Sequence, residues 1–465
     1  MRIGFIVDHP KRDLAGGVML AHALACHGIE TALIPLYEQA VDVPLLGLDG
    51  LVVNFARPTN ADLVAGYARA GLPVWVLDTE GGVLADDGAN TPHRLAAYIK
   101  ESGFAEMLAG YFFWGSTLQE AFVRDSGMKA GKLHLTGCPR FDFAAPHWRE
   151  LLDFPRSDYV LVNANFPLVN PRFVRSPEVE LASLTAAGWN AEYVGVMVRD
   201  SRLILNNFIQ TVRGLASKFP QQAFLVRPHP FENADLYRQE LSSLGNVTVD
   251  GLGSVLNVIH HAKCVLHLNC GTSIEAIMLG KLPLSMEFLN TEHMSRHSAL
   301  PSQVSQRVDS PEQLHDLLVR LDDATRAFPF AARHESLIKP WFHANDGRAA
   351  ERVAEVLVRT LRARDTRPGR PSVLGSLAAS RQHQRWGQRL QALAANVLGS
   401  KTSSGLRSHW QPHRRDKALD LAAVRALGDR IQGIDLRARW SVRHASHPLT
   451  GARLASILTT PAAGA

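Results

Sequence analysis

Short apolar runs recur along the first 365 residues of this chain, each ending in a polar or glycine-bearing turn and followed by a stretch of helical spacing. Runs of four to six β-branched and aliphatic residues read as buried strands, and helices between them force parallel pairing. The candidates in the first part are Ile3 to Val7, Thr31 to Pro35, Gly50 to Asn54, Pro73 to Leu77, Gly110 to Trp114 and Lys132 to Thr136. A second series starts at Tyr159 to Asn163. It continues through a long helix around Ser201 to Lys218, a strand ending at Arg227, Val247 to Val249, a strand ending near Asn269, and Leu282 to Met286. Helices around Pro311 to Leu321 and Asp346 to Arg362 close it. The pattern predicts two doubly wound α/β sheets, one per half.

A Pro- and aromatic-rich stretch between Asp142 and Pro155 marks the boundary, and Arg367-Pro368-Gly369-Arg370-Pro371 reads as a linker. The expected organisation is a Rossmann-like domain over 1–148, a second over 149–365, and a basic, mainly helical extension over 366–465. In the extension, Leu374 to Leu398 and Lys417 to Ile431 have helical spacing, and residues 455–465 read as frayed. Charge supports the division. Residues 366–465 carry 16 Lys+Arg against 4 Asp+Glu, leaving 34 against 40 in the rest. A body that is acidic overall argues against nucleic-acid binding. A basic tail leaves an anionic membrane surface as its partner.

The four cysteines, Cys26, Cys138, Cys264 and Cys270, have no metal-type or disulfide-framework spacing. The N-terminus is already strand-like, without a signal-peptide pattern, and no stretch reaches bilayer-spanning length. These features predict a cytoplasmic protein, peripheral at the inner membrane face if the tail docks there. His260, His261, His267, His293 and His297 lack a partnering carboxylate motif, and no metal or cofactor is predicted.

Two polar clusters stand at predicted strand ends, where open α/β sheets bind ligands. Arg227-Pro228-His229-Pro230 places an imidazole on a loop stiffened by two prolines, beside a guanidinium fork suited to an oxyanion. Asn269-Cys270-Gly271-Thr272-Ser273-Ile274-Glu275 offers small and hydroxyl residues at a helix start, which suits a phosphate, with Glu275 placed to accept from ribose hydroxyls. Asn163 and Asn165 end the first strand of the second half and are further donor-binding candidates. In the first half, Leu77-Asp78-Thr79-Glu80-Gly81-Gly82 presents carboxylates beside paired glycines, and Glu80 is the candidate general base toward an acceptor hydroxyl. Asp8 and Asp78 are acceptor-side candidates.

On Val160–Phe166, Arg227–Pro230, Asn269–Glu275 and Asn345–Ala350, the chain resembles bacterial surface-carbohydrate (capsule and lipopolysaccharide) biosynthesis proteins of the GT-B glycosyltransferase type. Transferases of sialic acid and of the sugar acid Kdo carry a related set. The resemblance covers roughly 1–360. It implies two Rossmann-like domains facing across a cleft and a metal-independent transfer from a CMP-linked sugar to a glycan or lipid-linked acceptor. It also implies a phosphate contact at His229-Pro230, a phosphate-binding pair at Thr272-Ser273 and a base at Glu80. Where the family pattern has its first acid, this chain has Thr79. The same architecture serves nucleotide-sugar 2-epimerases, and a polyol-phosphate transferase and a non-catalytic module of polysaccharide assembly are the remaining alternatives.

Overall fold

A computed structural model describes residues 1–81, 91–173, 176–186, 190–297, 299–363 and 414–462. The chain forms two compact units, each built on its own sheet.

Unit 1 comprises residues 1–81, 92–142 and 346–465. Its strands are β1 (Arg2–Val7), β2 (Glu30–Pro35), β3 (Gly50–Val53), β4 (Val74–Leu77), β5 (Gly110–Phe113) and β6 (Leu133–Leu135). All lie within a residue or two of the runs expected from sequence. Each pairs in parallel with its neighbours in the order β2-β1-β3-β4-β5-β6. Near-continuous burial along β3, β4 and β5 is what helices on both faces require. Trp75 is fully buried at the centre of the sheet. A Cβ at Gly50 or Gly110 would come within 2.8 or 2.7 Å of its indole, so these neighbouring strand starts admit no side chain there.

Unit 2 comprises residues 82–91 and 143–345. Its strands are β7 (Tyr159–Asn163), β8 (Phe224–Arg227), β9 (Val247–Val249), β10 (Ala262–His267), β11 (Leu282–Met286) and β12 (Gln306–Val308). The order β12-β11-β10-β7-β8-β9 is all parallel and runs outward in both directions from the β7–β10 pair. This is the doubly wound order, with its switch point between β7 and β10. The helix Ala191–Lys218 buries a stripe at helical spacing, Val194, Met197, Val198, Ser201, Ile204, Leu205 and Phe208. The Asn190 side chain caps it by accepting from the Tyr193 N–H. β12 escaped the sequence reading because it has three residues with an exposed arginine in the middle.

The expected domain limits need two corrections. The helix Ala349–Arg362, assigned from sequence to the second domain, belongs to unit 1 and packs on the helix Ala15–Ala25. Asp142, at the end of the preceding unit 1 segment, anchors its start by accepting from the N–H groups of Ala349 and Ala350, both at 2.8 Å. Residues 414–462, the described part of the C-terminal segment, do not form a separate extension. The expected helix is present as Leu421–Ile434, but β13 (Trp440–Ser446) and β14 (Arg453–Pro461) follow it as an antiparallel hairpin. β14 pairs antiparallel with β2, so the hairpin completes an 8-stranded sheet, and Ala455 to Pro461 of the stretch expected to fray are strand. Ile457 and Leu458 are buried there, because the edge of β2 would otherwise expose its backbone groups. The helical reading of Leu374 to Leu398 falls outside the described residues.

Candidate functional site

In unit 2 the two clusters singled out in the sequence meet at the switch point. Asn163 ends β7 and is register-paired with Arg227, the last residue of β8. Its Nδ2 donates to Thr272 Oγ1 at 2.8 Å, linking β7 to the first residue of the helix Thr272–Met278 after β10. The Asn165 Nδ2 donates to the Asn269 carbonyl at 2.9 Å, a second tie across the same gap. Asn269 has φ +50°, a left-handed conformation that asparagine tolerates better than most residues. Its amide makes a reciprocal pair with Asn290, at 2.9 and 3.1 Å. Gly271 follows at the N-cap of the helix with right-handed helical angles.

Two buried oxygens at this junction, Asn163 Oδ1 and Ser273 Oγ, have no hydrogen-bond partner among the described residues. Such groups are costly to keep, and a bound ligand or ordered water closes them. Glu275 is buried on the first turn of the helix, and its charge acts on Arg227.

His229 is half-buried. Its Nδ1 accepts from the Phe231 N–H at 3.3 Å, which puts the proton of the neutral ring on Nε2. The ring also stacks on Phe231, with centroids 5.5 Å apart. Arg227 has a different employment from the one expected. Its guanidinium donates to the carbonyls of Leu252 and Gly253, at 2.6 and 2.8 Å, so it clamps the loop after β9. Burial lowers its pKa. Pro230 holds the loop backbone and accepts at its carbonyl from Arg172.

The residue that sequence reasoning missed is Glu232. Its buried carboxylate accepts from the backbone N–H groups of Phe166 and, at 2.8 Å, His229, and from the Tyr237 hydroxyl at 3.2 Å. Burial pushes its pKa up to about 7, against these donors, which favour the charged form. Glu232 therefore fixes the His229 loop to the loop that follows β7. An acidic residue three positions after a His-Pro pair is the signal that was available in the sequence.

In unit 1, Asp8, Asp78 and Glu80 lie at the ends of β1 and β4, as expected, and all are joined through arginines. Arg57 donates to Asp78 Oδ1 at 3.0 Å and to Glu80 Oε2 at 3.0 Å. Arg12 pairs with Asp8, with Asp13 at 3.0 Å, and with Glu80 at 3.8 Å. Asp78 is buried and also accepts from the Tyr111 hydroxyl and the Glu80 N–H; burial, set against Arg57, leaves its pKa raised. Asp78 is a structural anchor for the turn carrying Glu80. Asp8 also binds Lys417 Nζ at 2.9 Å. Burial works to raise its pKa, but Arg12 and Lys417 outweigh that and hold it low. Lys417 comes from the C-terminal segment, and nothing in local sequence placed it here.

Among the described residues, His22, Cys26 and Asp435 bring ligand-type atoms within 4.8 Å of one another. His22 Nε2 lies 2.9 Å from Asp435, while its Nδ1 accepts from the Trp440 indole N–H at 3.1 Å. A neutral imidazole that accepts at Nδ1 must carry its proton on Nε2, the atom a metal would need. The group therefore fits a hydrogen-bonded joint rather than a metal centre. The histidines checked from sequence are similarly employed: His267 bonds Ser305, His261 reaches the Leu152 carbonyl, and His293 packs on Tyr193. No helix among the described residues is long and apolar enough to cross a membrane.

No protein-family model matches the chain, and no curated protein matches its sequence. Among solved structures, the chain is similar to the UDP-GlcNAc 2-epimerase of Methanocaldococcus jannaschii in complex with UDP-GlcNAc and UDP. The identity is 12%, the match covers 77% of this chain and 100% of that one, and the TM-score is 0.48. For the UDP-GlcNAc 2-epimerase of Neisseria meningitidis bound to UDP-GlcNAc, the values are 14%, 77%, 100% and 0.46. For the wall teichoic acid polymerase TagF they are 11%, 78%, 89% and 0.47. The assignment of this chain to the two-sheet, doubly wound α/β class rests on its own strand orders.

Proposed function

We propose that this protein is a glycosyltransferase that uses a nucleotide-activated sugar, with unit 2 holding the nucleotide and unit 1 the acceptor. The observation that carries the reading is the junction at the unit 2 switch point. There Asn163 and Thr272 tie β7 to the helix after β10, two buried oxygens have no partner among the described residues, and the loop after the neighbouring strand β8 carries His229 and is held by Glu232. The resemblance at His229-Pro230 and Thr272-Ser273 favours a CMP-linked donor and a surface glycan or glycolipid acceptor.

In the reaction, the bond between the anomeric carbon and the phosphate oxygen breaks, and its electron pair leaves with the phosphate. The Nε2–H of His229 and the Thr272–Ser273 turn donate to the oxygens on which that charge develops. The acceptor hydroxyl oxygen forms the new bond to the anomeric carbon, and its proton passes to the Glu80 carboxylate in an inverting course. Residues 366–413 contain seven Lys+Arg and no Asp or Glu, a composition suited to holding the enzyme at an anionic inner-membrane face.

Calorimetric titration of CMP, UDP, GDP and CDP into wild type and His229→Ala tests the reading. Tight CMP binding lost in the variant is the expected result. A preference for UDP, with conversion of a UDP-sugar in the absence of any acceptor, replaces the transferase with a 2-epimerase. Preference for CDP points to polyol-phosphate transfer, and no nucleotide binding at all removes the enzyme reading.

A further inference from the structure

The carboxyl edge of the unit 1 sheet holds more cations and unpartnered polar atoms than acceptor deprotonation uses. Its carboxylates are not equivalent. Asp78 is tied to Arg57, to the Tyr111 hydroxyl and to the Glu80 N–H. Asp13 accepts from the His9 N–H at 3.0 Å as well as from Arg12. Asp8 is shared between Arg12 and Lys417. The side chains of Asp78, Asp13 and Asp8 are 2%, 8% and 14% exposed. Glu80 differs: its side chain is 52% exposed, and among the described residues its carboxylate meets two guanidinia, Arg57 at 3.0 Å and Arg12 at 3.8 Å.

Beside this bridge lie buried polar atoms without partners. Asn54, the residue after β3, is 1% exposed, and neither its Oδ1 nor its Nδ2 has a hydrogen bond among the described residues. Thr79 Oγ1 and Arg57 Nε are in the same position, and the Thr79 N–H donates to the Asn54 carbonyl at 2.9 Å, so these groups are neighbours. They stand next to the β1–β3 pair, from which the strand order runs outward in both directions. That is the switch point of this sheet and its expected ligand site.

We infer that this edge is an oxyanion site, built for a phosphate or carboxylate group, and that in the ligand-free protein the Glu80 carboxylate occupies the ligand's place between Arg12 and Arg57. Arg57 gives Glu80 one N–H bond at 3.0 Å and Arg12 a looser ion pair at 3.8 Å, and guanidinium groups make the same charge-assisted contacts to planar and tetrahedral oxyanions. Asn54 and Thr79 then meet the neutral hydroxyl groups that accompany the anion. Lys417 shares Asp8 with Arg12, so part of that carboxylate's charge is met without Arg12, whose Nη1 faces Glu80. The identity of the ligand as an acceptor rests on the proposed transfer reaction. In that reaction, an anionic acceptor takes over the two arginines and releases Glu80 to receive the hydroxyl proton. The binding site itself depends on unit 1 residues alone.

The test is calorimetric titration of the full chain with inorganic phosphate and, separately, with acetate. Glu80→Gln removes the internal competitor. It is expected to tighten one of the two anions about threefold to fivefold, the scale of a half-exposed ion pair. Arg12→Gln in that background is expected to cancel the gain. Glu80→Ala repeats the measurement should the glutamine variant misfold by circular dichroism. The anion that responds distinguishes a phosphate-bearing from a carboxylate-bearing ligand. Unchanged affinity for both anions overturns the inference, as does a phosphate signal that ignores Glu80→Gln and vanishes in Thr272→Val, which would place the anion in unit 2. Failure of the transferase reading shows in the nucleotide titrations and leaves this outcome untouched.

Discussion

The Asn163 amide donates to Thr272 Oγ1 at 2.8 Å, which joins the end of β7 to the start of the helix after β10. Replacing Thr272 with valine keeps the shape and removes the acceptor. A buried donor left unmade costs about 1–3 kcal/mol. Thr272→Val is therefore expected to lower the unfolding free energy by that amount and to weaken nucleotide binding about tenfold, read by urea denaturation and calorimetry. Full nucleotide affinity in a destabilised variant would reduce Thr272 to a structural role.

Glu232 predicts a pH dependence. Its folded-state pKa is raised from the ordinary 4.5 to about 7 by burial. Between those values the native protein holds a proton that the unfolded chain has released, so the stability contributed by Glu232 is fully present below about pH 4.5 and is lost as pH rises toward 7. Asp142, raised to about 7 by burial, contributes in the same direction in unit 1. In Glu232→Gln, the decline measured by denaturant titration between pH 5 and 7 should be shallower than in wild type. An identical slope would show that Glu232 does not titrate there.

Arg57→Met leaves Asp78 in the core with its cation gone. Breaking one side of a buried ion pair costs about 3–5 kcal/mol. The expected result is a fall in unit 1 stability of that order, with the double variant Arg57→Met/Asp78→Leu recovering most of it. Equal instability of single and double variants would mean that Arg57 acts through packing alone.

The C-terminal segment yields the clearest structural prediction. Truncation after residue 363 removes β14 from the edge of β2, takes Lys417 from Asp8, and strips the helix Leu421–Ile434 from the helix Ala15–Ala25. The truncated chain is expected to aggregate or to lose cooperative melting of unit 1. A soluble truncation with an unchanged melting profile would show that the hairpin is dispensable. Membrane docking is therefore better tested by replacing Arg381, Arg385 and Arg389 with glutamine and measuring sedimentation with phosphatidylserine vesicles, where reduced binding is expected.

Much of this architecture was written locally. The β1–β11 runs are legible because a buried parallel strand must be apolar on both faces, and the polar residues directly after such runs must lie at the carboxyl edge of a sheet. For that reason His229, Thr272, Asn163 and Glu80 could be named from sequence. What each side chain does there depends on partners distant in the chain. Arg227 looks like an anion fork until Leu252 and Gly253 supply the carbonyls that occupy it. Glu232 looks like a solvated acid until Phe166, 66 residues away, closes on it.

The C-terminal hundred residues mark the limit most sharply. Their composition fixed a basic segment and the helix Leu421–Ile434, because charge and helical period are properties of the sequence itself. That β14 would pair with β2, and that Lys417 would neutralise Asp8 across 409 positions, was decided only by tertiary structure. An edge strand and a buried cation are stabilised by the surface they meet, and that surface does not exist until the rest of unit 1 has folded.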